Sequence, residues 1–204
     1  MAAQDQLVQA QLKLHDDLMK WLSRVLPSEP RDADSETIVP ALILLSHHEY
    51  YSSFDDWYPM PAQQLRDVIS PDRPVLWFWG HEHRVALYDC FETGDGIQAF
   101  GRCIGHGGMP VDRDALPDIT DCNCVLYDDR RYKTDEDIDV GYNGFITLEF
   151  DGPTLDVHYY DLFNTLLLTE RWISDGKGRL KGPEFRNVGL DLRQNDPAYI
   201  RNHS

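Results

Sequence analysis

Two apolar runs in this chain each end in histidines: Ala41-Leu42-Ile43-Leu44-Leu45-Ser46 leads into His47-His48, and Val75-Leu76-Trp77-Phe78-Trp79-Gly80 leads into His81-Glu82-His83. Imidazole is a good ligand for Zn, Fe, Mn and similar ions, and a ligand is best placed where a buried strand ends and the backbone turns into a crevice. His47, His81 and His83 meet that description. Gly80 permits a turn through which His81 and His83 reach one crevice, whereas in a continuing strand they would only share a face. His48 is ambiguous, because adjacent residues diverge in an extended chain: it supports the ligands, faces substrate or is packed. Either histidine pair alone fits a hydrogen-bonded turn or strand cap equally well, and it is their combination that points to metal.

Other polar residues say less. His106, between Gly105 and Gly107-Gly108, either approaches a substrate through glycines that let the backbone come close or is a solvent-facing turn imidazole. Asp156-Val157-His158 places two ligand types one residue apart, but inside a strand pattern rather than at a strand exit, so it reads as structural. Asp128-Asp129-Arg130-Arg131 and Asp135-Glu136-Asp137 read as solvated loop charge. Cys122-Asn123-Cys124 lacks the usual zinc spacing, and free loop thiols are expected.

Positioning these residues requires a mixed scaffold. Leu7, Leu14, Leu18, Trp21, Leu22 and Val25 recur at helical spacing, predicting a core-facing amphipathic helix over about 4–25. A polar linker follows, then a strand over 38–46 buried on both faces. Pro59 and Pro61 introduce a short helix over about 61–69, stopped by Ser70-Pro71, and 75–79 is a second buried strand. Strand, helix, strand implies parallel pairing. Short strands are then expected at 84–90, 97–104, 145–150, 155–160 and 165–173, separated by turn residues. The stretch 105–143 is too long for a passive connector and reads as a lid, an insertion or disordered chain. From Ser174 a polar, glycine-punctuated, solvated tail is expected, giving a domain over 1–173 and a tail over 174–204.

The chain has 204 residues, is 42% hydrophobic and carries a net charge of −16. That length buries one core. The acidity disfavours nucleic acid and anionic membrane surfaces, which are held by clustered Lys and Arg, though an acidic chain still binds phosphate through a metal. No run of about 20 apolar residues predicts a membrane segment, and four cysteines suit a reducing compartment. A cytoplasmic location is the expectation.

Leu45-Ser46-His47-His48 followed by Gly80-His81-Glu82-His83, with Arg102-Cys103-Ile104-Gly105-His106-Gly107-Gly108-Met109-Pro110 and Asn143-Gly144-Phe145, resembles the second half of the calcineurin-like metallophosphoesterases over about residues 11–173. The resemblance implies an α+β fold: the C-terminal portion of a four-layer αββα sandwich, rich in short antiparallel strands in its second half. It implies two divalent metal ions (Mn, Fe or Zn), with His47 and His81 on one and His83 on the other; His48 and His106 are catalytic candidates from their own positions in the sequence. The activity implied is phosphoester hydrolysis on a small-molecule phosphoester or a phosphoprotein. The family's earlier motifs, Asp-x-His, Gly-Asp-x-x-Asp and Gly-Asn-His-Glu/Asp, do not occur upstream of His47. They supply the aspartate that bridges the ions, and a two-metal site needs its ions held about 3.5–4 Å apart. Activity is therefore expected to need residues outside this chain. The alternative is a non-catalytic remnant or interaction module with residual single-metal binding. A mononuclear zinc site with three histidines is a further possibility. A sandwich lacking its first strands exposes apolar edges, so self-association through sheet edges is expected.

Overall fold

The computed structural model describes residues 12–26, 38–109, 122–189 and 191–204. It is a mixed α/β structure made mostly of strands. Strands β1 (Ile43–Ser46) and β2 (Val75–Trp79) run parallel, joined through helix α2 (Met60–Leu65), as the strand-helix-strand pattern predicts. With β3 (Val85–Phe91), β4 (Ala99–Ile104), β5 (Cys124–Tyr127) and β12 (Arg193–Gln194) they form a six-stranded sheet in the order β1-β2-β4-β3-β5-β12. A second, antiparallel sheet has the order β11-β10-β9-β8, from β8 (Gly144–Asp151), β9 (Thr154–Asp161), β10 (Leu166–Ser174) and β11 (Leu180–Arg186). Strands β6 (Arg131–Lys133) and β7 (Asp139–Gly141) make a separate ribbon.

Strand β2 shows why the first sheet is buried on both faces. Successive side chains point to opposite sides of a strand. Val75, Trp77 and Trp79 join one core with Tyr50, Tyr51 and Leu65, while Leu76 and Phe78 join another with Leu155, Val157, Leu168 and Trp172 of the second sheet. A continuous apolar run, Val-Leu-Trp-Phe-Trp, is what such a strand requires.

Several expectations need correction. Helix α1 spans Asp16–Val25, and residues 12–15 are not helical, with His15 extended. The backbone of Leu14 is held by the Gln64 side chain, which accepts from its N–H at 2.7 Å and donates to its carbonyl at 3.0 Å, and the His15 ring caps the helix start. Residues 4–11 of the expected helix lie outside the described residues. Leu14 and Leu22 pack on the core, but Trp21 and Val25 are about half exposed. The strand expected over 38–46 shrinks to four residues at the sheet end. Pro40, with no N–H to donate, interrupts the ladder after the isolated Val39–Lys177 bridge; β1 has one partner only among the described residues, and Leu45 is 72% exposed.

Within 105–143, residues 124–127 form β5, an inner strand of the main sheet; residues 110–121 lie outside the described residues. The expected tail is folded: β11 pairs with β10, β12 pairs with β5, and helix α3 (Pro197–Asn202) buries Ile200. The cysteines are free, as expected, but Cys122, in a turn, and Cys124, in β5, are both buried.

Asp128, Asp129, Arg130 and Arg131 are likewise not loose loop charge. Arg130 bridges Asp128 and Asp161, both at 2.9 Å, and Arg131 pairs with Asp129. Asp161 also accepts backbone N–H groups of Phe163 and Thr165, closing the β9–β10 turn. Burial opposes ionisation of Asp161, but Arg130 and these N–H groups outweigh it and hold its pKa below the usual carboxylate value. A depressed folded-state pKa contributes stability that is present above the unfolded value, near about 3.9, and is lost as pH falls through the folded pKa. Asp161→Asn should therefore lower the melting temperature at neutral pH and flatten its decline below pH ~4. An unchanged acid limb in thermal melts would count against the network.

Candidate metal centre

The histidines meet because β1 and β2 end at the same level. Their register pairs Ser46 with Trp79, so the next residues, His47 and Gly80, emerge side by side, and Gly80 N–H donates to the His47 carbonyl at 3.0 Å. Ser46 then fixes the turn: its hydroxyl donates to the His48 carbonyl at 2.7 Å and accepts the Trp77 indole N–H at 2.9 Å.

After β2 the chain reverses through His81 and His83, both left-handed, with φ of 59° and 47°. The turn expected at Gly80 is thus made by residues that pay a steric cost there, of order 1–3 kcal/mol each, a kind of strain that clusters at functional sites. Glu82 between them is buried, and the Trp79 indole N–H donates to it at 3.2 Å. Gly105 supports the reversal from β4. A Cβ there would stand 2.7 Å from His83 N and 3.0 Å from Gly80 C, backbone atoms that cannot step aside. Gly105→Ala should cost about 1–3 kcal/mol of stability and weaken metal binding; calorimetric titration beside a melt reads both, and full retention of both would contradict this role.

His47, His48 and His81 place one ring nitrogen each within 4.8 Å of one another. His81 Nδ1 lies 3.4 Å from His47 Nε2, and the His48 and His81 rings are 4.6 Å apart. Tyr58, from the loop before α2, packs on His48 at 4.9 Å. Burial, followed by the positive charge of His81 and His47, lowers the His48 pKa, which favours the neutral imidazole a metal needs. Beside these residues runs a cleft of about 410 Å³ with apolar walls from Leu14, Leu18, Leu22 and Leu44.

A second group shares His81. Oxygens of Glu49 and Asp55 and a ring nitrogen of His81 also lie within 4.8 Å of one another. Burial pushes the Glu49 carboxyl up to about 8, with the negative charges of Glu82, Asp55 and Asp56 adding to the rise. Glu82 is pushed up to about 7, chiefly by burial.

Of the residues singled out in the sequence, His47, His48 and His81 come together. His83 belongs to neither group: it is itself the second left-handed residue, just before the chain enters β3. His106 is neither at the centre nor solvent-facing. It is 2% exposed, and its ring lies under Gly144, where a Cβ would stand 2.7 Å from Cδ2. Burial lowers its pKa, so it is a packed neutral ring. Asp156 and His158 are occupied on β9 by Arg171 and Thr169, as a structural reading expects. Glu49 and Asp55 were missed. Glu49's adjacency to His48 was the available signal; nothing local marks Asp55.

No protein-family model matches this chain, and no curated protein matches it. Among the described residues, no helix is long and apolar enough to cross a membrane.

Proposed function

We propose that the chain carries part of the metal centre of a metal-dependent phosphoester hydrolase, completed by residues from outside it. The observation that carries the reading is the convergence of His47, His48 and His81 at the ends of two parallel strands. Their three ring nitrogens fit a divalent ion such as Zn, Mn or Fe, and two of them, on His47 and His81, belong to the pair that the metallophosphoesterase resemblance assigns to one ion. His83, expected on the second ion, stands outside that set. The αββα sandwich belongs to the same proposal; two sheets sharing one core, with α1 and α2 on the outer face of the first, support it.

A bound divalent ion supplies an activated water nucleophile and polarises a phosphoryl oxygen. The chain's residues do the rest. His47 and His81 hold the ligand nitrogens in place, anchored by the Gly80–His47 backbone bond. His48, neutral and packed on Tyr58, is a ligand or a proton acceptor at the mouth of the cleft. The cleft's apolar walls exclude water from the rest of a substrate.

Among the described residues the outer edge of β1 has no partner strand and Leu45 is exposed, which favours completion by further chain. It equally supports the second reading, an interaction module that binds one ion without catalysis. A chromogenic phosphomonoester and phosphodiester, assayed with Mn²⁺ on this chain and on the protein translated with its upstream coding sequence, separates the two. Turnover by the longer form, lost with His47→Ala, is expected. No turnover in either form would leave the interaction module.

A further inference from the structure

The loop from His47 to Pro59 carries two carboxylates to the same place as the histidines. Glu49 follows His48 directly and is 1% exposed, and among the described residues neither of its oxygens has a hydrogen-bonding partner from another residue. Buried carboxylates are normally paired, because an unpaired one loses several kcal/mol of hydration. Glu82, Asp55 and Asp56 make this worse by adding like charge around Glu49. The cation beside Glu82 is Arg84, at 4.0 Å and at the limit of an ion pair.

Asp55 is exposed but held in place. The Ser52 hydroxyl accepts the backbone N–H groups of Phe54 and Asp55, at 2.8 and 3.1 Å, and the Trp57 indole N–H donates to the Ser52 carbonyl. The loop therefore curls back with Asp55 toward His81, which already meets His47 and His48. Two carboxylate oxygens and an imidazole nitrogen form a harder donor set than three imidazoles, and one suited to Mn²⁺ or Fe²⁺.

We propose that Glu49 and Asp55 bind a divalent cation together with His81, and that His81 serves both this carboxylate set and the His47–His48 pair. This rests on the proposed function only in taking His81 as a metal ligand. It gives the buried Glu49 oxygens the partner they lack, and it adds negative ligands to a centre otherwise built from neutral rings.

The test is a Mn²⁺ titration of the full 204-residue chain, followed by loss of the free-ion electron paramagnetic resonance signal. Wild type is compared with Glu49→Gln, Asp55→Asn and His47→Ala. Changes in groups that merely orient ligands cost 10–100-fold in affinity, so losing a direct ligand should weaken Mn²⁺ binding at least about tenfold in each carboxylate variant. His47→Ala should retain this site. Asp55 is exposed, so Asp55→Asn keeps the test valid if Glu49→Gln fails to fold. Wild-type affinity in Asp55→Asn, or in a folded Glu49→Gln, would overturn the proposal, with loss confined to His47→Ala leaving the histidine set standing. Absence of Mn²⁺ binding by wild type would overturn it as well. A failed phosphoester assay with these Mn²⁺ results intact would strike the proposed function alone.

Discussion

His81→Ala should weaken Zn²⁺ binding about a hundredfold or more, the largest functional effect of any single substitution in this chain. The reason is placement. His81 is the residue common to the His47–His48–His81 group and the Glu49–Asp55–His81 group. It also sits at the left-handed apex of the turn after β2, with φ of 59°. Alanine adopts left-handed backbone less readily than histidine, a cost that the same change at His83 shares, so the comparison isolates the loss of the shared nitrogen. His83→Ala is the matched control: it lies in the same turn, with φ of 47°, and stands outside both groups. Isothermal titration should show His81→Ala impaired and His83→Ala near wild type. Equal losses in the two would mean that the turn, not the ligand, sets affinity.

Arg102→Met should cost about 3–5 kcal/mol of unfolding free energy, because it strands a buried carboxylate. Arg102 of β4 and Glu170 of β10 are both fully buried, and they tie the two sheets together. Arg102 Nε donates to both Glu170 oxygens, at 3.0 and 2.9 Å, and Nη2 donates to Oε1 at 2.7 Å. Nη1 donates to the carbonyls of Tyr88 and Gly101, both at 2.6 Å, and the Tyr159 hydroxyl completes the Glu170 shell at 2.8 Å. Removing the guanidinium leaves Glu170 with one neutral donor and two carbonyls without theirs. Native domains are stable by only about 5–15 kcal/mol, so this single change takes a large share. The double variant Arg102→Met with Glu170→Leu should recover most of the loss, since apolar replacement of a whole buried pair is often neutral or better. Chemical denaturation of the three proteins checks this. A loss below about 1 kcal/mol in Arg102→Met would show that the pair is not an inter-sheet tie.

Much of the scaffold around the centre was legible because its signals are local. The run Val75–Trp79 reads as a buried strand and is one, and the strand-helix-strand pattern fixes the parallel pairing that sets His47 beside Gly80. The paired strand ends were legible for the same reason. What escaped was set by distant contacts. Glu170 answers Arg102 across 68 positions, and Asp161 answers Arg130 across 31. The segment after Ser174 looked solvated because Gly176, Gly178 and Gly182 break its pattern, yet Phe185, Leu192 and Ile200 return to the inter-sheet core. His48 joins His47 and His81 and His83 stands apart for a backbone reason: His83 is itself left-handed, and the Ser46 hydroxyl ties the turn at the His48 carbonyl. Neither bond nor dihedral has a signature in residue order.

The most direct test of the metal centre is the imidazole ¹⁵N–¹H spectrum of the chain, with its eight histidines assigned, during titration with Zn²⁺. Resonances of His47, His48 and His81 should shift together and saturate, while those of His83, His106 and His158 stay in place. Unmoved resonances from His47, His48 and His81 at saturating Zn²⁺ would contradict the account.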